Sequence, residues 1–157
     1  WWNGSVTWSA KGERRIKTEP SQEPRWDDVL AFLPELEAPD FVAGQMVWKE
    51  GQFPYYDLAP VGMRLHKALY ESGVMIEFNW SKWGRRADEL MHDPRALGRA
   101  RLVTLRKLLY GHARYDRFCD GHFGGVLESG HIAAVLRRAA HLLGAAPHKA
   151  ATPPTTD

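Results

Sequence analysis

Arg114-Tyr-Asp-Arg-Phe-Cys-Asp-Gly-His-Phe-Gly-Gly-Val-Leu-Glu-Ser-Gly-His-Ile-Ala-Ala-Val-Leu-Arg-Arg138 is the stretch that decides the fold of this chain. Apolar residues recur at helical spacing on both sides of it, and glycines fall where helices must stop. The pattern predicts a helix over roughly Leu102 to Arg117, another starting near Asp120, and a third from about Ile132 to Leu143. Gly130 and Gly144 read as terminators. The only cysteine, Cys119, and the histidines His122 and His131 lie in the same stretch. Helix boundaries and reactive side chains therefore coincide.

Working back toward the N-terminus, Asp93-Pro94 reads as a helix cap followed by a first-turn proline. Ser81 is placed to cap a helix carrying Trp83, Ala87, Leu90 and Met91. Val74, Ile76, Phe78 and Trp80 alternate with Met75, Glu77, Asn79 and Ser81, a strand pattern. Pro60 suits the first turn of a helix running to Ser72, with Gly73 beyond its end. Met46-Val-Trp48 and Pro54 to Leu58 flank Glu50-Gly51 and predict a hairpin. Trp26, Val29, Leu30, Leu33 and Leu36 predict a helix over Trp26 to Glu37, kinked or shortened by Pro34. The expected fold class is α+β: a small antiparallel sheet of about three strands packed against a mainly helical C-terminal half. Residues 25–144 form the expected single domain. Residues 1–24 read as a poorly ordered arm, and 145–157, rich in Ala, Pro and Thr, as a disordered tail.

A length of 157 residues, 44% hydrophobic and 25% charged, suits one domain with its own core. No apolar run approaches the roughly 20 residues of a membrane span, and the N-terminus lacks the order of a secretory signal. One cysteine allows no internal disulfide. Together these set the expectation of a cytoplasmic protein without membrane partners. The net charge of +2 is unevenly spread. Pro20 to Asn79 holds four basic and ten acidic residues, whereas Trp80 to Leu143 holds twelve basic and six acidic. Such asymmetry implies either a basic binding face or two halves that attract each other.

From about Trp26 onward the chain resembles a bacterial domain-of-unknown-function family of small α+β proteins. The resemblance rests on Ala31-Phe-Leu-Pro-Glu-Leu-Glu-Ala-Pro39, Pro54-Tyr-Tyr-Asp-Leu-Ala-Pro60, Phe78-Asn-Trp80 and Thr104-Leu-Arg-Lys-Leu-Leu109. Its strongest block is Arg117-Phe-Cys-Asp-Gly-His122, followed by Glu128-Ser-Gly130 and Leu136-Arg-Arg138. The resemblance implies a compact domain and brings no catalytic residue, cofactor or partner.

On a helical wheel, Leu102, Leu105, Leu108, Leu109 and Ala113 make an apolar side, and Arg106, Lys107, Tyr110, Arg114 and Arg117 lie opposite. That stripe could track a phosphate backbone, with Tyr110 stacking on a base; the alternative is a solvated face. His112 and Asp116 fall in the apolar sector one turn apart, an arrangement suited to a general base. Asp116 could equally hold the following turn or pair with Arg137. Cys119 and His122 offer a thiol near a helix start and a base, or two metal ligands that His112, His131 and His141 would have to complete. The plainer reading is a buried, inert cysteine, with Asp120 as the helix cap. Gly124 and Gly125 are read as allowing two helices to pack closely. Trp48, Tyr55, Tyr56, Phe78, Trp80 and Trp83 form either core or a flat binding face. No metal and no cofactor is assigned. The sequence points first to a non-catalytic domain that binds a macromolecular partner, with nucleic acid the leading candidate. The alternative is a small enzyme, such as a hydrolase, centred on His112, Asp116, Cys119 and His122. A second alternative is a protein-interaction module that uses the aromatic face.

Overall fold

The computed structural model describes Thr7–Trp8, Arg14–Arg15 and residues 23–145. Thr7–Trp8 (β1) pairs antiparallel with Arg14–Arg15 (β2). The rest of the expected arm and tail, apart from residues 23–24 and 145, lies outside the described residues.

The first expected helix is two short ones, α1 (Asp27–Leu30) and α2 (Leu33–Leu36). Pro34 has no N–H to continue α1, and it sits in the first turn of α2, where that N–H has no partner to lose. The hairpin forms as expected from β3 (Gly44–Val47) and β4 (Tyr55–Leu58), with Met46 opposite Tyr56. Helix α3 (Pro60–Glu71) starts at its proline and stops just before Gly73, whose φ is +70°. A short 3-10 turn (Trp80–Lys82) leads into α4 (Gly84–His92). Asp93 caps α5 (Pro94–Arg99), its carboxylate accepting the Arg95 N–H at 2.8 Å. Three helices complete the domain: α6 (Leu102–Tyr115), α7 (His122–Glu128) and α8 (His131–Leu142). No helix among the described residues is long and apolar enough to cross a membrane.

The α+β class holds, but the domain has a two-stranded sheet, not three strands. Val74 to Asn79 forms no strand and joins no sheet. It lies against α6, where the Arg106 guanidinium donates to the carbonyls of Val74 (2.7 Å) and Gly73 (3.0 Å). A side chain thus supplies hydrogen bonds that a neighbouring strand would have made. Ser81 is not a cap either. It lies inside the 3-10 turn and donates to Asn79 Oδ1 at 2.5 Å.

Helix α8 is the centre of the core and packs against α1, α2, α5, α6 and α7. It buries Ile132, Val135, Leu136 and Ala139 against Val29, Leu105, Leu109, Phe123 and Leu127. Each such large apolar side chain contributes about 1.5–3 kcal/mol on burial, so helix packing carries most of the stability. The hairpin is held at α7 by two carboxylates. Asp120, just before the helix, accepts the Tyr56 N–H at 2.8 Å, and Glu128, its last residue, accepts the Ala43 N–H at 3.0 Å.

Between those carboxylates the Tyr56 ring lies on the backbone of Gly121 and Gly124. A Cβ at Gly124 would stand 2.1 Å from Tyr56 Cε1, whereas one at Gly125 would meet nothing within 4 Å. Gly124 therefore admits the hairpin tyrosine and not a second helix, and Gly125 contributes no packing. Gly124→Ala is expected to lower stability by about 1–3 kcal/mol through overpacking. Gly125→Ala is expected to leave it unchanged or raise it by up to about 1 kcal/mol. Urea denaturation of the two variants checks this; equal effects would remove Tyr56 as the reason for Gly124.

Candidate functional site

Three histidines from three helices meet beside the hairpin-bearing helix. His112 projects from the last turns of α6 and is buried, because Leu105, Leu108, Leu109 and Ala113 turn the same side of α6 to the core. His122 is the first residue of α7 and His131 the first of α8. Each follows a glycine in the left-handed region, Gly121 at φ +82° and Gly130 at φ +75°. These turns bring both helix starts back onto α6. His112 Nδ1 lies 2.9 Å from His122 Nε2, and His112 Nε2 lies 3.1 Å from His131 Nε2. The planes of His112 and His122 lie 29° apart, with the rings side by side, while those of His112 and His131 are nearly perpendicular.

A neutral imidazole has one N–H and one lone pair, so each of these contacts needs one hydrogen from one side. The chain therefore has two consistent directions: His122 donates to His112, which donates to His131, or the whole order reverses. Reversal moves one proton along each contact. A proton arriving on His112 would let it donate both ways.

The same geometry separates this cluster from a metal centre. His112 spends one nitrogen on each neighbour, so the three rings do not converge on a point as tetrahedral ligands must. No group of three or more His, Cys, Asp or Glu among the described residues is arranged to hold a metal ion. His141 is exposed on α8, outside the cluster.

Burial keeps the chain uncharged. Desolvation, helped by any charge on His131 and His122, lowers the His112 pKa to about 3. Desolvation lowers His131 to about 4, with charge on His92 and His122 acting in the same direction. His122, half-buried, is also lowered by desolvation, opposed by the Asp116 carboxylate. Asp116 does not meet His112 as the helical spacing suggested. Its Oδ1 accepts the Phe123 N–H at 2.8 Å and so holds the first turn of α7. Arg137 pairs instead with Glu37, at 2.5 Å.

The block that carries these contacts, from Arg117 through Glu128, lies within the region that defines the chain's relatives. The chain belongs to a family of unknown function (DUF6508), matched over residues 21–145. Comparison with curated proteins and with solved structures finds no match. In this member, the family's matched region takes in both the hairpin and the histidine chain, and excludes most of the arm and tail.

A cavity of about 460 Å³ opens beside the chain, with His112 and His122 in its wall. Trp80, Trp83 and Tyr115 form its aromatic sides, and Asp88 also lines it. Tyr115 stands edge-on to His122, with ring centroids 4.8 Å apart. Trp80 and Trp83 therefore wall the cavity and belong to no sheet face, and Trp83 also packs against the core. Tyr55 is partly exposed and Trp48 is 76% exposed, so the hairpin aromatics separate from the pocket aromatics.

Other candidates are placed differently from their sequence reading. Cys119 is exposed, not buried, because α6 ends at Tyr115 and the turn after it faces outward. It does not line the pocket. Asp120 serves the hairpin, and Gly121 occupies the cap position. The basic stripe is mostly engaged within the fold. Arg106 holds the Gly73 and Val74 carbonyls, the Lys107 ammonium sits 5.4 Å from the centroid of Phe78, and Arg114 lies over Tyr110. Tyr110 itself is buried beside Phe78, 5.9 Å between centroids, and is not a free stacking platform. Arg117 alone of the five is exposed. His131 is the member the sequence reading undervalued; a histidine following a helix-terminating glycine was its only signal.

The sign of the pH response follows. His112 and His131 are neutral in the fold, while in the unfolded chain they take up protons below their ordinary value of 6.5. The unfolded state then binds more protons, so stability falls with pH from about 6.5 down to about 4. Each ring contributes about 1.4 kcal/mol per pH unit across that window. His112→Gln should remove that amount from the slope measured by urea denaturation at pH 4.5 to 6.5. An unchanged slope would mean that His112 is protonated in the fold.

Proposed function

We propose that the cavity beside the histidine chain is a small-molecule site in which His122 gives and takes a proton, backed by His112 and His131. The supporting observation is that a buried, neutral histidine chain ends in the wall of an aromatic-sided cavity. Perturbed titratable groups inside a concave apolar pocket are the usual marks of such a site. His122 is the member placed to meet a ligand. His112 and His131 are positioning residues: they fix the His122 ring, and a proton taken at His122 Nδ1 passes on only by reversal of the whole chain, with one proton leaving from His131 Nδ1.

The chemistry this favours is general acid–base catalysis without a protein nucleophile. Ser81 lines the cavity, but its hydroxyl is engaged with Asn79 and not with a histidine. Cys119 lies outside the cavity. A hydrolase of this kind would activate water rather than form a covalent intermediate. The exposed single thiol suits a reducing compartment, and we place the protein in the cytoplasm on that basis.

Gly111 provides a clean test because it lines the cavity and an added Cβ there meets nothing within 4 Å. Gly111→Leu should fill the cavity while leaving the fold intact. A fragment collection screened by ligand-observed NMR should yield binders to the wild type that Gly111→Leu no longer holds. His122→Gln should keep those binders and abolish any turnover. Binders indifferent to Gly111→Leu would refute the site.

A second reading keeps the aromatic hairpin as a protein-interaction surface. Phe53, 95% exposed, and Trp48 project from the loop side of β3 and β4, with Met46 partly exposed nearby. Large apolar side chains grouped in water mark interaction surfaces more often than chance. A Trp48→Ser, Phe53→Ser variant should lose any concentration-dependent association seen in sedimentation velocity. The basic stripe has less to offer a nucleic acid, since most of its cations already have partners inside the fold.

A further inference from the structure

We infer that the cavity takes a small organic cation, an ammonium group carrying alkyl or aryl substituents, which rests on the cavity being the functional site. Its wall contains one formal charge, the Asp88 carboxylate, and neither a lysine nor an arginine. An anionic ligand would meet a carboxylate and ring faces, with nothing positive to offset its desolvation. A cation meets the opposite situation.

Three aromatic rings, from Trp80, Trp83 and Tyr115, supply the cavity's sides. The rings of Trp80 and Tyr115 are nearly perpendicular, 86° between planes and 5.8 Å between centroids. Trp83 forms a further wall, held in place edge-to-face against Phe78. Ring faces are the negative ends of aromatic quadrupoles, and several of them around one space attract alkylammonium groups. Asp88 is exposed, and among the described residues its side chain has one basic neighbour within 4 Å, His92, whose Nδ1 lies 3.2 Å from its Oδ1. It supplies a counter-charge that is not already consumed by arginine or lysine.

The histidine chain adds a directional contact. His122 uses Nε2 toward His112. When His122 is the donor in that pair, its Nδ1 carries the lone pair and accepts an ammonium N–H. A primary or secondary ammonium therefore suits the site better than a quaternary one, which satisfies the rings but not His122.

The test uses the full chain and three matched probes at pH 7: benzylamine, benzyl alcohol and benzoate. Binding is read from the indole N–H resonances of Trp80 and Trp83 in ¹⁵N–¹H NMR titrations. Benzylamine should bind at least tenfold more tightly than benzyl alcohol, and benzoate should not bind. In Asp88→Asn that preference should shrink to threefold or less, with benzyl alcohol unaffected. Benzyl alcohol or benzoate binding as tightly as benzylamine would overturn the cation and leave the cavity standing. A preference that survives both Asp88→Asn and Trp80→Leu would also overturn it. No shift from any of the three probes would overturn both the cation and the site.

Discussion

A buried imidazole has two ring nitrogens, and each must find a partner or cost the fold on the order of 1–3 kcal/mol. His112 lies in the core of this domain, and both of its nitrogens are met by histidines from the two helices that follow it in sequence. Among the described residues, no other polar contact joins all three of α6, α7 and α8 at one point. The starts of α7 and α8 must therefore be placed to within hydrogen-bond tolerance of α6. Gly121 and Gly130 make that placement possible, since each turn requires a backbone that most residues resist. The core leucines supply the energy of packing, and the histidines decide where the helices begin.

Helix α7 serves both sides of this arrangement. Its first residue points into the chain, Phe123 fills the core, and Gly121 and Gly124 receive Tyr56 from the hairpin. Asp116, Asp120 and Glu128 each accept a backbone N–H, so that the helix start and both attachment points of the hairpin are fixed. None of these three carboxylates is free for chemistry. That leaves the cavity with imidazole, hydroxyl and aromatic groups plus Asp88 at its edge. Its electrostatic character follows from how fully α7 is spent on structure.

Helices α3, α7 and α8 were legible in the sequence because a glycine closes each, and α3 and α5 because a proline opens each, signals with local causes. The hairpin was legible for the same reason. What failed was the strand over Val74 to Ser81, and it failed together with the basic stripe on α6. Alternation marked the segment as a strand, but alternation says nothing about what satisfies the backbone. Arg106 does so, and the segment covers the face of α6 that a wheel assigns to solvent. Each misreading is the other's missing partner, and only a contact far apart in sequence could reveal it. The site was half legible: His112 and His122 stood out, but spacing paired His112 with Asp116, one turn away. The real partners come from the next two helices, which no helical periodicity can indicate. Cys119 was misjudged because an apolar helix precedes it, although that helix has ended by Tyr115.

The relay is the claim on which the reading of the cavity depends, and ring-nitrogen NMR reports on it directly. Long-range ¹⁵N–¹H correlation of the histidine rings at pH 5 distinguishes a neutral ring with one protonated nitrogen from a charged ring with two. His112 is predicted to remain neutral at pH 5, with one N–H coupled across a hydrogen bond to His122 or His131. A His112 ring that titrates near 6.5, or that shows no coupling to either neighbour, would contradict the chain and the proton path built on it.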